Sequence, residues 1–154
     1  MADSIKELIM KDIVVSVQKI KAGLGYSNTF ENSAVERNKT TPINASVFPA
    51  AFIYEGAETV VEREQMGDDS LIILELPVSI EAWCYDANNL SECINSLEAD
   101  VIKAVMTDHT RGGNAHCTQV IGSEPFLVEG KNMGGRIISF LITYECREKD
   151  PTQH

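Results

Sequence analysis

The stretch Leu71-Ile72-Ile73-Leu74-Glu75-Leu76-Pro77-Val78-Ser79-Ile80-Glu81-Ala82-Trp83-Cys84-Tyr85 decides the fold. Ile72, Leu74, Leu76, Val78, Ile80, Ala82 and Cys84 fall on one phase of a two-residue period, and Glu75, Ser79, Glu81 and Tyr85 fall on the other. Successive side chains of a strand point to opposite faces, so this is a long strand with one buried face. Pro77 has no N–H to give to a ladder, which predicts a bulge or an edge position there. The apolar face needs a cover, and the next segment supplies one. Asp86 to Asp108 reads as a helix with Leu90, Ile94, Leu97, Val101 and Val105 as its stripe. Asn89 and Glu92 have capping-box spacing, and His109-Thr110-Arg111-Gly112-Gly113 reads as the stop.

Beyond that helix, Cys117 to Val128 is a weaker strand interrupted by Gly122 and Pro125. Gly130 to Gly135 is expected as a hairpin tip. Arg136 to Cys146 closes the chain's order with Ile138, Phe140, Ile142, Tyr144 and Cys146 in phase, which makes the last two strands antiparallel neighbours. In the other direction, Glu55 to Ser70 is polar. Its Thr59-Val60-Val61-Glu62-Arg63-Glu64 reads as the outgoing arm of a hairpin that returns through Leu71 with a projecting tip. Val47 to Tyr54 is a further strand with Pro49 near its start, Asn38 to Ser46 is turn-rich around Thr41-Pro42, and Tyr26 to Arg37 is polar and extended. Ser4 to Ala22 is an amphipathic helix, with Ile5, Leu8, Ile9, Ile13, Val17 and Ile20 at helical spacing. Ser4 and Glu7 form a capping-box pattern, and Gly23-Leu24-Gly25 ends the helix. The fold class that follows is α+β: a single mixed, mostly antiparallel sheet, two main helices packed on one face, and a projecting β-hairpin.

A chain of 154 residues fits one domain, read as 1–147, with 148–154 as a flexible C-terminal tail. No apolar run approaches the ~20 residues of a membrane span, and Met1-Ala2-Asp3-Ser4 does not begin a signal sequence, so neither export nor membrane attachment is expected. A formal charge of −10 excludes phosphate-backbone binding as the main source of affinity. It does permit a surface past which DNA slides without sticking. Cys84, Cys93, Cys117 and Cys146 show no C-x-x-C pairing and are expected as free thiols.

Chemistry-bearing patterns are sparse. Gly23 and Gly25 follow a helix instead of opening one and lack the third glycine of a nucleotide loop. Asp108, His109, His116 and Cys117 match no zinc spacing and want a fourth ligand, so His109 reads as a helix-end residue meeting the dipole. A Cys117–His116 nucleophile is disfavoured because adjacent strand residues face opposite ways. The acids from Glu62 to Asp69 read as a solvated hairpin. Aromatic residues make up only 6% and do not interleave with basic ones, which excludes a base-stacking platform. Trp83 and Tyr85, on the face away from the helices, point to an interface. No catalytic residue, cofactor or metal is expected, and the chain reads as a non-enzyme.

The order of elements resembles a known family. The N-terminal helix leads to Phe48-Pro49-Ala50-Ala51-Phe52-Ile53-Tyr54-Glu55. A long strand ending Val78-Ser79-Ile80-Glu81-Ala82-Trp83-Cys84-Tyr85 then feeds into Leu90…Leu97-Glu98-Ala99-Asp100-Val101, and a Gly-rich loop precedes Ile137-Ile138-Ser139-Phe140-Leu141-Ile142-Thr143-Tyr144. From about Ile5 to Tyr144 this is similar to the tail terminator proteins of long-tailed bacteriophages and phage-like particles. The resemblance implies a structural virion protein, assembled in the host bacterial cytoplasm. Its hexameric ring caps the tail tube, stops tube polymerisation, and offers a head-tail joining surface to a connector or stopper protein, with DNA passing through the lumen without specific binding. It also makes the hairpin residues Glu58, Glu62, Arg63, Glu64, Asp68 and Asp69, together with Trp83 and Tyr85, the candidate contacts to tube or neighbouring subunit. The alternatives are another neck or tail-completion subunit, a small metal- or ligand-binding enzyme domain using the Asp108–Cys117 loop, and a host-interaction adaptor.

Overall fold

The computed structural model describes residues 2–39 and 47–154, and the turn expected around Thr41-Pro42 lies outside them. The described residues form two helices, α1 (Ile5–Gln18) and α2 (Leu90–Met106), and six strands. The strands are β1 (Val35–Arg37), β2 (Ala50–Glu55), β3 (Thr59–Met66), β4 (Asp69–Tyr85), β5 (Cys117–Leu127) and β6 (Met133–Arg147). They make one mixed sheet ordered β1-β2-β4-β6-β5, with β3 also paired to β4. Only β1 and β2 are parallel. The α+β reading holds, and the two helices share one core with the apolar phase of β4 and β6.

β4 is the axis. Along one edge it pairs with β6 from Leu71 to Tyr85. Along the other it pairs with β3 from Asp69 to Glu75 and then with β2 from Val78 to Trp83. Pro77 stands at the changeover. Its carbonyl accepts from the Gly56 N–H at 2.8 Å, and the N–H it lacks would point the same way, into the gap between β2 and β3. The strand therefore runs through Pro77 without losing a ladder bond to β6, opposite Leu141.

α1 opens as its sequence requires: Ser4 Oγ accepts from the Glu7 N–H at 3.1 Å. The Glu7 carboxylate does not complete the box. It holds Arg37 (Nη1–Oε1 2.8 Å), which also reaches Glu55 at 3.2 Å, tying α1 to β1 and β2. That bond to Arg37 lowers the Glu7 pKa. α2 departs further from expectation. Asn89 makes no side-chain cap, and the Asp86 carboxylate instead accepts from the Asn88 and Asn89 N–H groups at 2.8 and 2.9 Å. Two residues before Asn88 and three before Asn89, Asp86 reaches those N–H groups as an Asx turn, and the Asn89–Glu92 box does not form.

The far end of α2 is closed from within. Arg111 is fully buried with a left-handed φ of 51°. Its guanidinium donates to the carbonyls of Val105 and Asp108, and it pairs with Asp12 of α1 at 3.1 Å and Ser16 at 3.3 Å. Carbonyls left over at a helix end favour a cation, so one side chain terminates α2 and clamps it to α1. Burial pushes the Arg111 pKa down, while Asp12 and Asp108 oppose that shift.

Two further expectations are corrected. Cys84 and Cys93 are bonded to each other rather than free, with Cα atoms 6.6 Å apart, while Cys117 and Cys146 are free. Cys84 is the last helix-facing residue of β4 and Cys93 lies in the first turn of α2, so the short connection brings them together. Gly134 and Gly135 belong to β6, not to the turn. A Cβ on Gly135 would sit 1.8 Å from the Ala82 carbonyl oxygen, so glycine is needed for β6 to approach β4 there. Residues 148–154 lie against the body. The Ile5 N–H donates to the Pro151 carbonyl at 2.9 Å, and the Glu148 N–H to the Ser70 carbonyl at 2.8 Å.

Replacing Arg111 by Met keeps the stem and removes the cation, stranding Asp12 and the α2 carbonyls. The expected loss of stability is about 3 kcal/mol, read as a lower urea midpoint with an unchanged m-value. A variant as stable as the parent would show that the clamp contributes little.

Candidate functional site: the hairpin, its root and the far end of β4

The candidate residues divide into three places along β4. At the hairpin root, Glu58 precedes β3 and turns inward. Its Oε2 accepts from the Tyr144 hydroxyl at 2.6 Å, and its Oε1 pairs with Lys6 Nζ of α1 at 3.2 Å. These groups, with Leu74, Cys146 and Pro151, line a cavity of about 250 Å³ beneath the returning C-terminus. Burial, then the bond to Glu58, pushes the Tyr144 hydroxyl pKa far up, and burial raises the Cys146 thiol. Glu58 is thus engaged inside the subunit, holding the arm to the body.

On the arm, every residue of β3 is exposed. Glu62 and Glu64 lie opposite Ile73 and Leu71, on the face away from the helices. Arg63 lies on the other face and is held by Glu148 through two bonds of 3.1 Å. At the tip, Asp68 pairs with Lys149 at 3.1 Å. The Asp69 carboxylate accepts from the Ser70 and Lys149 N–H groups, which lowers its pKa. The C-terminal segment therefore braces one face of the hairpin and leaves Glu62 and Glu64 on the open one.

Trp83 and Tyr85 stand at the other end of β4, roughly 50 Å along the strand from Asp69 at ~3.3 Å per residue. Trp83 donates to Glu81 at 3.2 Å and stacks on Phe126 of β5, with ring centroids 4.7 Å apart. Tyr85 is 53% exposed, with Phe48 at 6.0 Å. The structure does not bring the aromatic pair and the hairpin acids into one patch.

The Asp108–Cys117 loop is explained by backbone bonds. The Asp108 carboxylate accepts from Thr110 and Gly112, the His109 carbonyl accepts from the Thr118 hydroxyl, and His116 pairs with Glu145 at 3.1 Å. Among the described residues no group of three or more His, Cys, Asp or Glu side chains is placed to hold a metal ion. Sequence reasoning missed Tyr144 and Lys6. The available signal was a tyrosine in the buried phase of a strand, whose hydroxyl must find a polar partner.

No family model and no curated protein matches the sequence. Among solved structures, the chain is similar to one from the "Virion of native gene transfer agent (GTA) particle", covering 92% of each chain at 14% identity with a TM-score of 0.45.

The buried hydroxyl makes the hairpin root sensitive to alkali. A tyrosine whose pKa is raised on folding contributes stability below its ordinary value of 10.0 and loses it as pH rises beyond that. The urea midpoint is expected to fall from about pH 10 upward, and Tyr144→Phe should flatten that fall while costing about 1 kcal/mol at neutral pH. An identical alkaline fall in Tyr144→Phe would assign it to other groups.

Proposed function

We propose that this chain is a structural subunit of a phage-like particle and, within it, the tail terminator: a ring of copies that caps the tail tube and ends its growth. The ring presents its outer side to the head-side connector or stopper, and DNA passes through its lumen without being bound. The observation that carries this reading is the β3–β4 hairpin. All eight residues of β3 are exposed, and among the described residues β3 is paired only with β4, which leaves its second edge open. Among the described residues β5 likewise pairs only with β6, and it exposes Val120, Ile121 and Leu127. Open edges carrying apolar side chains are costly in a lone subunit and are normally covered in an assembly. Two such edges on different sides of one subunit suit a heterologous contact, which closes into a ring when its rotation permits. The net charge of −10 also suits a passage for a polyanion.

Sedimentation and negative-stain imaging of the purified protein, alone and with isolated tails, test this reading. Uniform annuli, or a ring seated at the head-proximal end of the tube, are expected. A species that stays at 17.0 kDa at low and high concentration and ignores tails would sink the proposal. Seating at the opposite end would indicate a different tail component.

A further inference from the structure

We infer that the hairpin of one copy docks, head to tail, into a lysine-rimmed groove at the end of α1 of the next copy; this names the contact that the ring reading requires and rests on it. The groove, about 600 Å³, lies between the last turn of α1 and the Gly23–Gly25 loop. Its apolar floor is Val15, Leu24 and Tyr26, with Leu24 72% exposed. Lys19 and Lys21 stand on its rim, and no acidic side chain lines it.

The distribution of charge singles out this place. Among the described residues, eight of the 13 Lys and Arg side chains are paired with carboxylates of their own subunit: Lys6, Lys11, Arg37, Lys39, Arg63, Arg111, Arg136 and Lys149. Of the other five, Lys131 and Arg147 lie elsewhere, and Lys19, Lys21 and Lys103 gather at this loop: Lys21 donates to the Phe30 carbonyl and Asn32, and Lys103 donates to the Gly25 carbonyl and sits 5.0 Å over the Tyr26 ring. The wall is also held in advance. The buried Asp100 of α2 accepts from the Ser27 and Asn28 N–H groups at 3.0 and 2.8 Å and from the Asn28 side chain at 2.8 Å. A surface fixed before its partner arrives loses less entropy on binding.

The hairpin has the complementary character. Val61 and Met66 are exposed, 50% and 41%, alongside Glu62 and Glu64, for which the described residues provide no ion-pair partner. The subunit cannot satisfy itself. Lys6 fixes the hairpin root to the first turn of α1, whereas the groove lies at the last turn, about 20 Å away along a 14-residue helix. Among the described residues Glu62 and Glu64 make no ion pair with Lys19 or Lys21 of their own subunit, which leaves them free for the groove of another copy.

The test is a charge swap read by sedimentation equilibrium, with circular dichroism to verify folding. Lys19→Glu, and separately Glu62→Lys with Glu64→Lys, should each raise the concentration for half-association roughly tenfold. Combining all three in one chain should restore association to within about threefold of the parent. Leu24→Ser, at an exposed loop position, should weaken association and leave the melting temperature unchanged. If the parent forms rings and the single reversals form them equally well, or if the combined variant does not recover, the groove contact is wrong while the ring stands. If the parent associates neither alone nor on tails, both fall together.

Discussion

The structure depends on one backbone constraint: a 17-residue strand, β4, that must be paired on both edges while containing a proline. β6 occupies one edge throughout, so any break in β4 would split the sheet. The other edge is divided between β2 and β3, and Pro77 sits where neither reaches, its carbonyl given to Gly56. The missing N–H thus coincides with the place where the chain has to leave the sheet between Glu55 and Thr59. A Cβ on Gly56 would already stand 3.4 Å from the Pro77 ring, so the turn is drawn close over the proline. That closeness brings Glu58 under the sheet to Tyr144 and Lys6.

This division of β4 separates two mechanical parts. The half paired with β2 lies in the body, where the sheet is backed by the helices and tied by the Cys84–Cys93 bond. The half paired with β3 is an arm whose outer strand is exposed throughout, braced by the C-terminal segment through Arg63–Glu148 and Lys149–Asp68. Both outer strands carry a register shift, at Val61 in β3 and at Ile121 in β5, and β5 also holds Pro125. Bulges and a proline on open edges discourage indiscriminate strand addition. The edges are therefore poor templates for aggregation, and selectivity must come from the side chains they present.

Much of the body was legible because it rests on periodicity. The two-residue phase of β4 and β6 and the stripes of α1 and α2 each follow from burial of one face. The arm was legible too, since Thr59–Glu64 alternates in no buried phase yet returns through a strong strand. What escaped was set by long-range partners. β1 is only three residues, defined by its parallel pairing with β2 and by Arg37 bridging Glu7 and Glu55, neither of which leaves a local pattern. Arg111 resembled a routine helix stop, and only the approach of Asp12 from α1 makes it a buried clamp. The Cys84–Cys93 pairing was within reach, because Cys84 closes the apolar phase of β4 and Cys93 lies one turn after Leu90, beside the α2 stripe. Trp83 and Tyr85 were legible as lying on the face away from the helices, and Glu62 and Glu64 only as residues of the arm. Their separation along β4 required knowing that β4 is one continuous strand.

The electrostatics bear on how such a subunit can meet its copies. A formal charge of −10 makes any contact of like surfaces repulsive, and an isologous dimer places each surface against itself. Internal ion pairing deepens the asymmetry, because it consumes the cations of the body and leaves those near the Gly23–Gly25 loop unneutralised, at the end of α1 remote from the acidic arm. A subunit with an anionic arm at one end and a cationic, apolar-floored groove at the other repels its copies in most orientations and attracts them in a head-to-tail one. Screening shortens the reach of this preference to about 8 Å at physiological salt, so it acts only once the arm is near its seat. If arm and groove meet as proposed, net repulsion with one attractive orientation would keep free subunits apart until they do, and that condition would favour a closed ring over disordered aggregation.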